Sequence, residues 1–226
     1  TLILLPNRDE LDQVLSRDIT KILATSLHNH GNASLAVSGG STPENMLSLL
    51  GQAPLDWPLV QTLLVDERWV ANDHASSNES MLRKTLLKGA AGTSQYLPLK
   101  NNADSAENGQ HLLEAKLDTL AWPLSLVHLG MGEDGHTASW FHDAPEYQAL
   151  CAAHAQYCFA VQPGSAPYPR ITLSPNAVFN SEKIVIHITG RAKREVLEKA
   201  LSKDADYPIS MVLHQQQVPV DIYWAP

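Results

Sequence analysis

The chain is poor in the residues that several large protein classes depend on. Only two cysteines occur among 226 residues, Cys151 and Cys158. With no second pair nearby they suit neither a disulfide framework nor a zinc site, and they read as two reduced thiols. No apolar run approaches the roughly 18 residues of a membrane span. The opening "TLILLPNRDELD" has no basic segment ahead of its short apolar run, so it reads as a first strand and not as a signal peptide. Basic residues are outnumbered, 16 Lys and Arg against 24 Asp and Glu, for a formal charge of −8. That balance argues against broad binding to nucleic acid or to an anionic membrane. A cytoplasmic protein is the resulting expectation, a monomer or weak homo-oligomer. Three signatures of enzyme chemistry are missing too. There is no G-x-S-x-G serine elbow, no H-E-x-x-H zinc motif and no Gly-Lys-Ser/Thr phosphate loop. The histidines are scattered, so neither a metal nor a cofactor is expected.

What is present is a globular composition, 44% hydrophobic and 18% charged. The length suits one domain spanning residues 1–226. Short β-like runs alternate with helix-period segments: "LILL" (2–5), a stripe from Leu11 to Leu23 ending near Gly31, "SLAV" (34–37), and a helix opening at Pro43. "TLLV" (62–65) precedes "DERWV", and helical patterning returns over 78–87 and 105–120. "LSLVHL" (124–129), "KIVIHIT" (183–189), a helix over 191–201 and "VDIYW" (220–224) complete the order, with "QPGSAPYPR" (162–170) as a loop. Apolar strands without alternation, interleaved with amphipathic helices, predict an α/β fold whose parallel sheet is covered on both faces.

Open sheets of this kind bind ligands beyond the carboxyl ends of their strands. Three polar loops fall there if the strands are parallel: "SGGSTP", "DERWV" and "GMGEDGHTAS". In the first, Gly39 and Gly40 let backbone N–H groups approach a ligand, and Ser41 and Thr42 add hydroxyl donors. The segment is either an anion loop or an ordinary glycine turn capped by Thr42. Arg191, Lys193 and Arg194 crowd the first turn of a later helix, where cations oppose the dipole, so an anion is expected nearby. Arg170 is a further candidate. The third loop matches G-x-G-x-x-G but lacks the helix and ribose-binding acid of a dinucleotide site, so the match is read as chance. Its more economical use is to hold Asp134 and His136 two residues apart as an acid–imidazole pair. The plainer alternative is a capping aspartate and a structural histidine; His128 and His187 are read as structural.

Taken in order, "SGGSTP", "VDERWV" with Ser77-Asn78, "GMGEDGHTAS", "PRITL" and the lysine of "GRAKREVL" resemble the glucosamine-6-phosphate isomerase/6-phosphogluconolactonase family. The resemblance implies a three-layer Rossmann-like fold, with a central, mostly parallel sheet flanked by helices. It implies hydrolysis of a small-molecule sugar-phosphate lactone, 6-phospho-D-glucono-1,5-lactone, to 6-phosphogluconate. By position, it makes His136 the general base and Asp134 its neighbour. Gly39, Gly40, Ser41 and Thr42 become the phosphate loop, Arg170 and Lys193 the phosphate cations, and Asp66 and Arg68 pocket-lining residues. Two other functions fit the same pattern: an isomerase/deaminase, and a non-catalytic sugar-phosphate sensor. The first needs a glutamate five residues after the histidine, where Phe141 stands, and the second an output module for which there is no spare length.

Overall fold

A computed structural model describes residues 1–152 and 155–226. The first helix shows how local chemistry sets the elements. Asn7 accepts from the Glu10 backbone N–H at 2.9 Å, and its side-chain amide donates to the Glu10 carboxylate at 3.1 Å, a reciprocal cap that opens α1 (Arg8–His30). Losing such a cap costs about 1 kcal/mol. Leu11, Leu15, Ile19 and Leu23 then bury one stripe completely, and Gly31 ends the helix at φ 75°.

The strands are β1 (Leu2–Leu4), β2 (Ala33–Val37), β3 (Val60–Leu64), β4 (Asp66–Arg68), β5 (Gln95–Leu97), β6 (Leu126–Leu129), β7 (Cys158–Val161), β8 (Arg170–Leu173), β9 (Ile184–Thr189) and β10 (Val220–Ala225). Seven form one sheet in the order β1-β10-β9-β6-β2-β3-β5, with every neighbouring pair parallel. β2 and β6 are buried along their whole length, as strands covered on both faces must be. The remaining helices are α2 (Glu44–Leu50), α3 (Asn78–Thr85), α4 (Ala106–Leu117), α5 (Tyr147–Ala152), α6 (Pro175–Phe179), α7 (Arg191–Ala200) and α8 (Ser210–His214).

Two readings of the sequence need correction. "DERWV" was expected to be wholly a loop, yet Asp66–Arg68 is a strand of a second, three-stranded antiparallel sheet ordered β4-β8-β7. Helix α2 starts at Glu44, because Pro43 is its N-cap rather than its first residue. No side chain caps α2, so Thr42 is not the cap that the plain-turn reading required.

Candidate functional site

The winding of the large sheet reverses between β2 and β6. From β2 the chain builds outward through β3 and β5, and from β6 it builds the other way through β9 and β10. The loops leaving β2 and β6 therefore flank a topological switch point, where the ends of diverging connections leave a crevice. One cleft there is lined by Gly39, Gly40, Ser41 and Thr42 after β2, by Asp66 and Arg68 of β4, and by His136 after β6. Arg170 of β8 and Lys193 of α7 complete it. Of the residues to which the resemblance gives a site role, Asp134 alone does not line this cleft. It borders an adjoining one behind His136, with Phe141 and His142.

Close packing fixes the shape of the β2 loop. A Cβ on Gly39 would run into the Asn78 side-chain amide, so only glycine lets the loop sit there. Asn78 in turn donates to the Asp66 carbonyl at 2.9 Å. Ser38 ties the two crevice loops together, donating to the His128 carbonyl at 3.1 Å and accepting from the Gly130 N–H at 3.0 Å.

The β6 loop closes on itself through Gly132 N–H to the His136 carbonyl at 2.8 Å. Gly132 also makes room for the acid–imidazole pair, since a Cβ there would collide with both Asp134 and His136. The Asp134 carboxylate lies 2.6 Å from His136 Nδ1. This hydrogen bond holds the Asp134 pKa down to about 2. An ionised acceptor on Nδ1 fixes the tautomer with Nδ1–H, leaving the Nε2 lone pair free to take a proton. The Phe141 ring stacks on the imidazole at 4.3 Å between centroids, and Arg170 lies over the same Phe141 ring at 5.1 Å. One aromatic side chain thus braces both the imidazole and a guanidinium.

Arg68 and Arg170 face each other directly across the β4–β8 ladder. Like charges opposed in this way repel, and buried Asp66 offsets them, its carboxylate 3.8 Å from the Arg170 guanidinium and accepting from Ser139 Oγ. Arg68 is tethered by Nη1–H to the Ser76 carbonyl at 2.7 Å. Among the described residues, Nε of each arginine is buried without a hydrogen-bond partner. Two side chains with such strong donors in one cleft suit a polyanionic or oxygen-rich ligand.

The basic first turn of α7 divides its roles. Only Lys193 lines the cleft. Arg194 is committed to Glu198 at 2.7 Å and to the Trp224 ring, while Arg191 is exposed. The three cations separate in this way because successive helical positions point in different directions. His128 and His187 are buried to within 1% as structural histidines would be, yet both also line the cleft floor. Asn78 and Ser139 are site-shaping residues that the sequence reading did not single out by role. The only cue was that Ser77-Asn78 follows "DERWV". No group of three or more His, Cys, Asp or Glu side chains among the described residues is arranged to hold a metal ion. No helix among them is long and apolar enough to cross a membrane.

A wholly parallel sheet with a cationic, glycine-lined crevice at its switch point defines an α/β protein built to hold a small anionic ligand. More particularly, the chain belongs to the family of glucosamine-6-phosphate isomerases/6-phosphogluconolactonase, which matches residues 6–224. It is 36% identical to the 6-phosphogluconolactonase of Mesorhizobium japonicum, covering 98% of this chain and 93% of that protein. It is 35% identical to that of Pseudomonas aeruginosa, over 94% and 89% of the two chains. The crystal structure of a 6-phosphogluconolactonase from Shewanella baltica superposes with a TM-score of 0.97 at 38% identity, over 100% of this chain and 97% of that one.

Proposed function

We propose that residues 1–226 form one catalytic unit that hydrolyses 6-phospho-D-glucono-1,5-lactone to 6-phosphogluconate. The observation that carries this reading is the pairing, in one cleft, of a free imidazole nitrogen with a glycine loop and cations able to hold a phosphoryl group. Relatives over nearly the full length bear the name 6-phosphogluconolactonase, which supports the same assignment.

In this mechanism the phosphoryl group sits against the N–H groups of Gly39 to Thr42, with Lys193 and Arg170 supplying positive charge. Binding so far from C1 orients the lactone carbonyl for attack. His136 Nε2 takes a proton from water as its oxygen adds to C1. The tetrahedral oxyanion forms near Arg68, where a well-placed donor contributes about 3 kcal/mol. As the C1–ring oxygen bond breaks, the imidazolium returns its proton to the departing ring oxygen. The new carboxylic acid then ionises, so each turnover releases one proton to solvent. Asp134 stabilises the imidazolium without accepting its proton, in keeping with its low pKa.

The isomerase alternative lacks its acid. Phe141 occupies the position where that chemistry requires a glutamate, and its ring is packed against His136. The test is a pH-stat assay of freshly generated lactone, with spontaneous opening subtracted, set beside the unphosphorylated lactone and glucosamine 6-phosphate. A preference of about 100-fold or more for the phosphorylated lactone is expected if the phosphate contacts serve catalysis. Equal rates on both lactones, or ammonia release from the amino sugar, would overturn the proposal.

A further inference from the structure

Glu67 stands between two residues of the cleft, Asp66 and Arg68, but does not line it. Its side chain turns the other way and is 2% exposed. There it accepts four hydrogen bonds. One carboxylate oxygen takes the backbone N–H groups of Arg68 at 2.7 Å and Asn78 at 2.8 Å; the other takes the Glu79 N–H at 2.7 Å and the Ser77 hydroxyl at 3.0 Å. Both oxygens are therefore doubly occupied, three of the four donors being amides that can only donate. Burial raises the carboxyl pKa, and these donors oppose it.

The donors come from two separate places. Arg68 belongs to β4, whereas Ser77, Asn78 and Glu79 are the N-cap and first turn of α3. Between them runs the segment 69–76, whose last carbonyl, that of Ser76, holds the Arg68 guanidinium. Asn78 fills the space that Gly39 leaves in the β2 loop. A single carboxylate thus fixes the backbone at the root of Arg68, the carbonyl that aims its guanidinium, and the amide against which the anion loop is packed. Glu79 continues the arrangement outward, pairing with Arg83 at 2.7 Å.

We infer that Glu67 is a positioning residue for the reaction, setting Arg68 directly and the Gly39–Thr42 loop through Asn78, without touching substrate. A fully donor-saturated carboxylate is a rigid reference point, because any displacement breaks several charge-assisted hydrogen bonds together. Catalytic geometry tolerates little error, and displacement by about 1 Å can cost about 100-fold in rate. Glu67→Gln keeps the shape but substitutes an NH2 for one acceptor oxygen, setting donor against donor at the root of α3.

The inference rests on the lactonase reading, and the experiment separates the two. The full chain and its Glu67→Gln, Arg68→Ala and Lys193→Ala variants are assayed on the phosphorylated lactone, with the two double variants containing Glu67→Gln. Backbone hydrogen exchange is followed in the same proteins. Glu67→Gln is expected to lower kcat/KM by about 10- to 100-fold. Added to Arg68→Ala it should cause a clearly smaller loss than it does alone, since the part of its effect that runs through Arg68 is already gone, whereas with Lys193→Ala the losses should multiply more nearly. Exchange should rise over residues 68–79 and stay unchanged in β9 and β10. If Glu67→Gln does not fold, Ser77→Ala, which removes one of the four donors, should show a smaller loss with the same non-additivity. Turnover within twofold of the parent, or losses that multiply fully with Arg68→Ala, would overturn the inference and leave the lactonase reading standing. A parent protein inactive on the lactone would sink both.

Discussion

Two of the acid–imidazole pairs among the described residues, one on the β6 loop and one beneath the β2 loop, sit in opposite surroundings. On the β6 loop, Asp134 and His136 are 2.6 Å apart, with the imidazole side chain 31% exposed and the carboxylate 56% exposed. Beneath the β2 loop, Asp12 and His187 are 3.6 Å apart, with exposures of 8% and 1%. His187 also meets His128 at 3.3 Å, nitrogen to nitrogen, making a buried row from β6 through β9 to α1, where Asp12 accepts from Asn45 at 2.8 Å. In the outer pair the hydrogen bond dominates and the carboxylate stays ionised to about pH 2. In the inner row desolvation dominates. It brings His128 down to about 4 and His187 well below its usual value, with the nearby cations Lys193 and Arg8 adding to the effect on His187. Burial therefore makes neutral scaffolding of the same residue types that the proposed mechanism uses as a proton carrier at the rim.

The sharpest way to break that contrast is to remove the outer imidazole. In this reading His136→Ala loses the general base, and a fall in kcat of about 10²- to 10⁴-fold is expected, with thermal unfolding little changed because the side chain is partly in water. A lactone assay beside a melting curve checks it; near-normal turnover would mean that the wrong pair has been assigned to the chemistry. Asp134→Asn comes next. The amide retains an acceptor for Nδ1–H but loses the charge that stabilises the imidazolium, so a fall in kcat of about tenfold with KM nearly unchanged is expected. A change confined to KM would instead place Asp134 among the binding groups.

This contrast was only half visible in the sequence. Asp134 and His136 are two residues apart in a glycine-rich loop, and local spacing alone brings them together. His187 and Asp12 are separated by most of the chain, and they meet because α1 packs across the sheet against β6 and β10, the two strands that flank β9. The parallel sheet was legible because continuous apolar runs such as "IVIHI" have no other good home. The small antiparallel sheet was not: β4 is three residues, two of them acidic, and its register, Asp66 opposite Thr172, depends on a partner more than a hundred residues away. Glu67 was hidden for the same reason. A glutamate in "DER" reads as solvated, and only the return of the chain at Ser77 to Glu79 supplies the donors that let it be buried. Phe141 stood out only as the residue where an isomerase would need a glutamate, and nothing local announced that its ring would touch both His136 and Arg170.

The smallest expected effect tests the inner row. A histidine whose folded-state pKa is depressed binds its proton less readily than in the unfolded chain, so folding disfavours protonation. The associated stability is fully present above the unfolded value near 6.5 and is lost as pH falls toward the folded value, about 4 for His128. The unfolded state binds more protons across that window, which gives stability a positive slope with pH. For one such group the limit is about 1.4 kcal/mol per pH unit, and coupling between the two rings reduces what each adds. Urea midpoints measured between pH 7 and 5 should therefore fall more steeply for the parent than for a His128→Leu/His187→Leu variant, which has no imidazole in the inner row to charge. Equal slopes would mean that water or Asp12 already compensates a charged ring, and that the inner row is poised to carry protons after all.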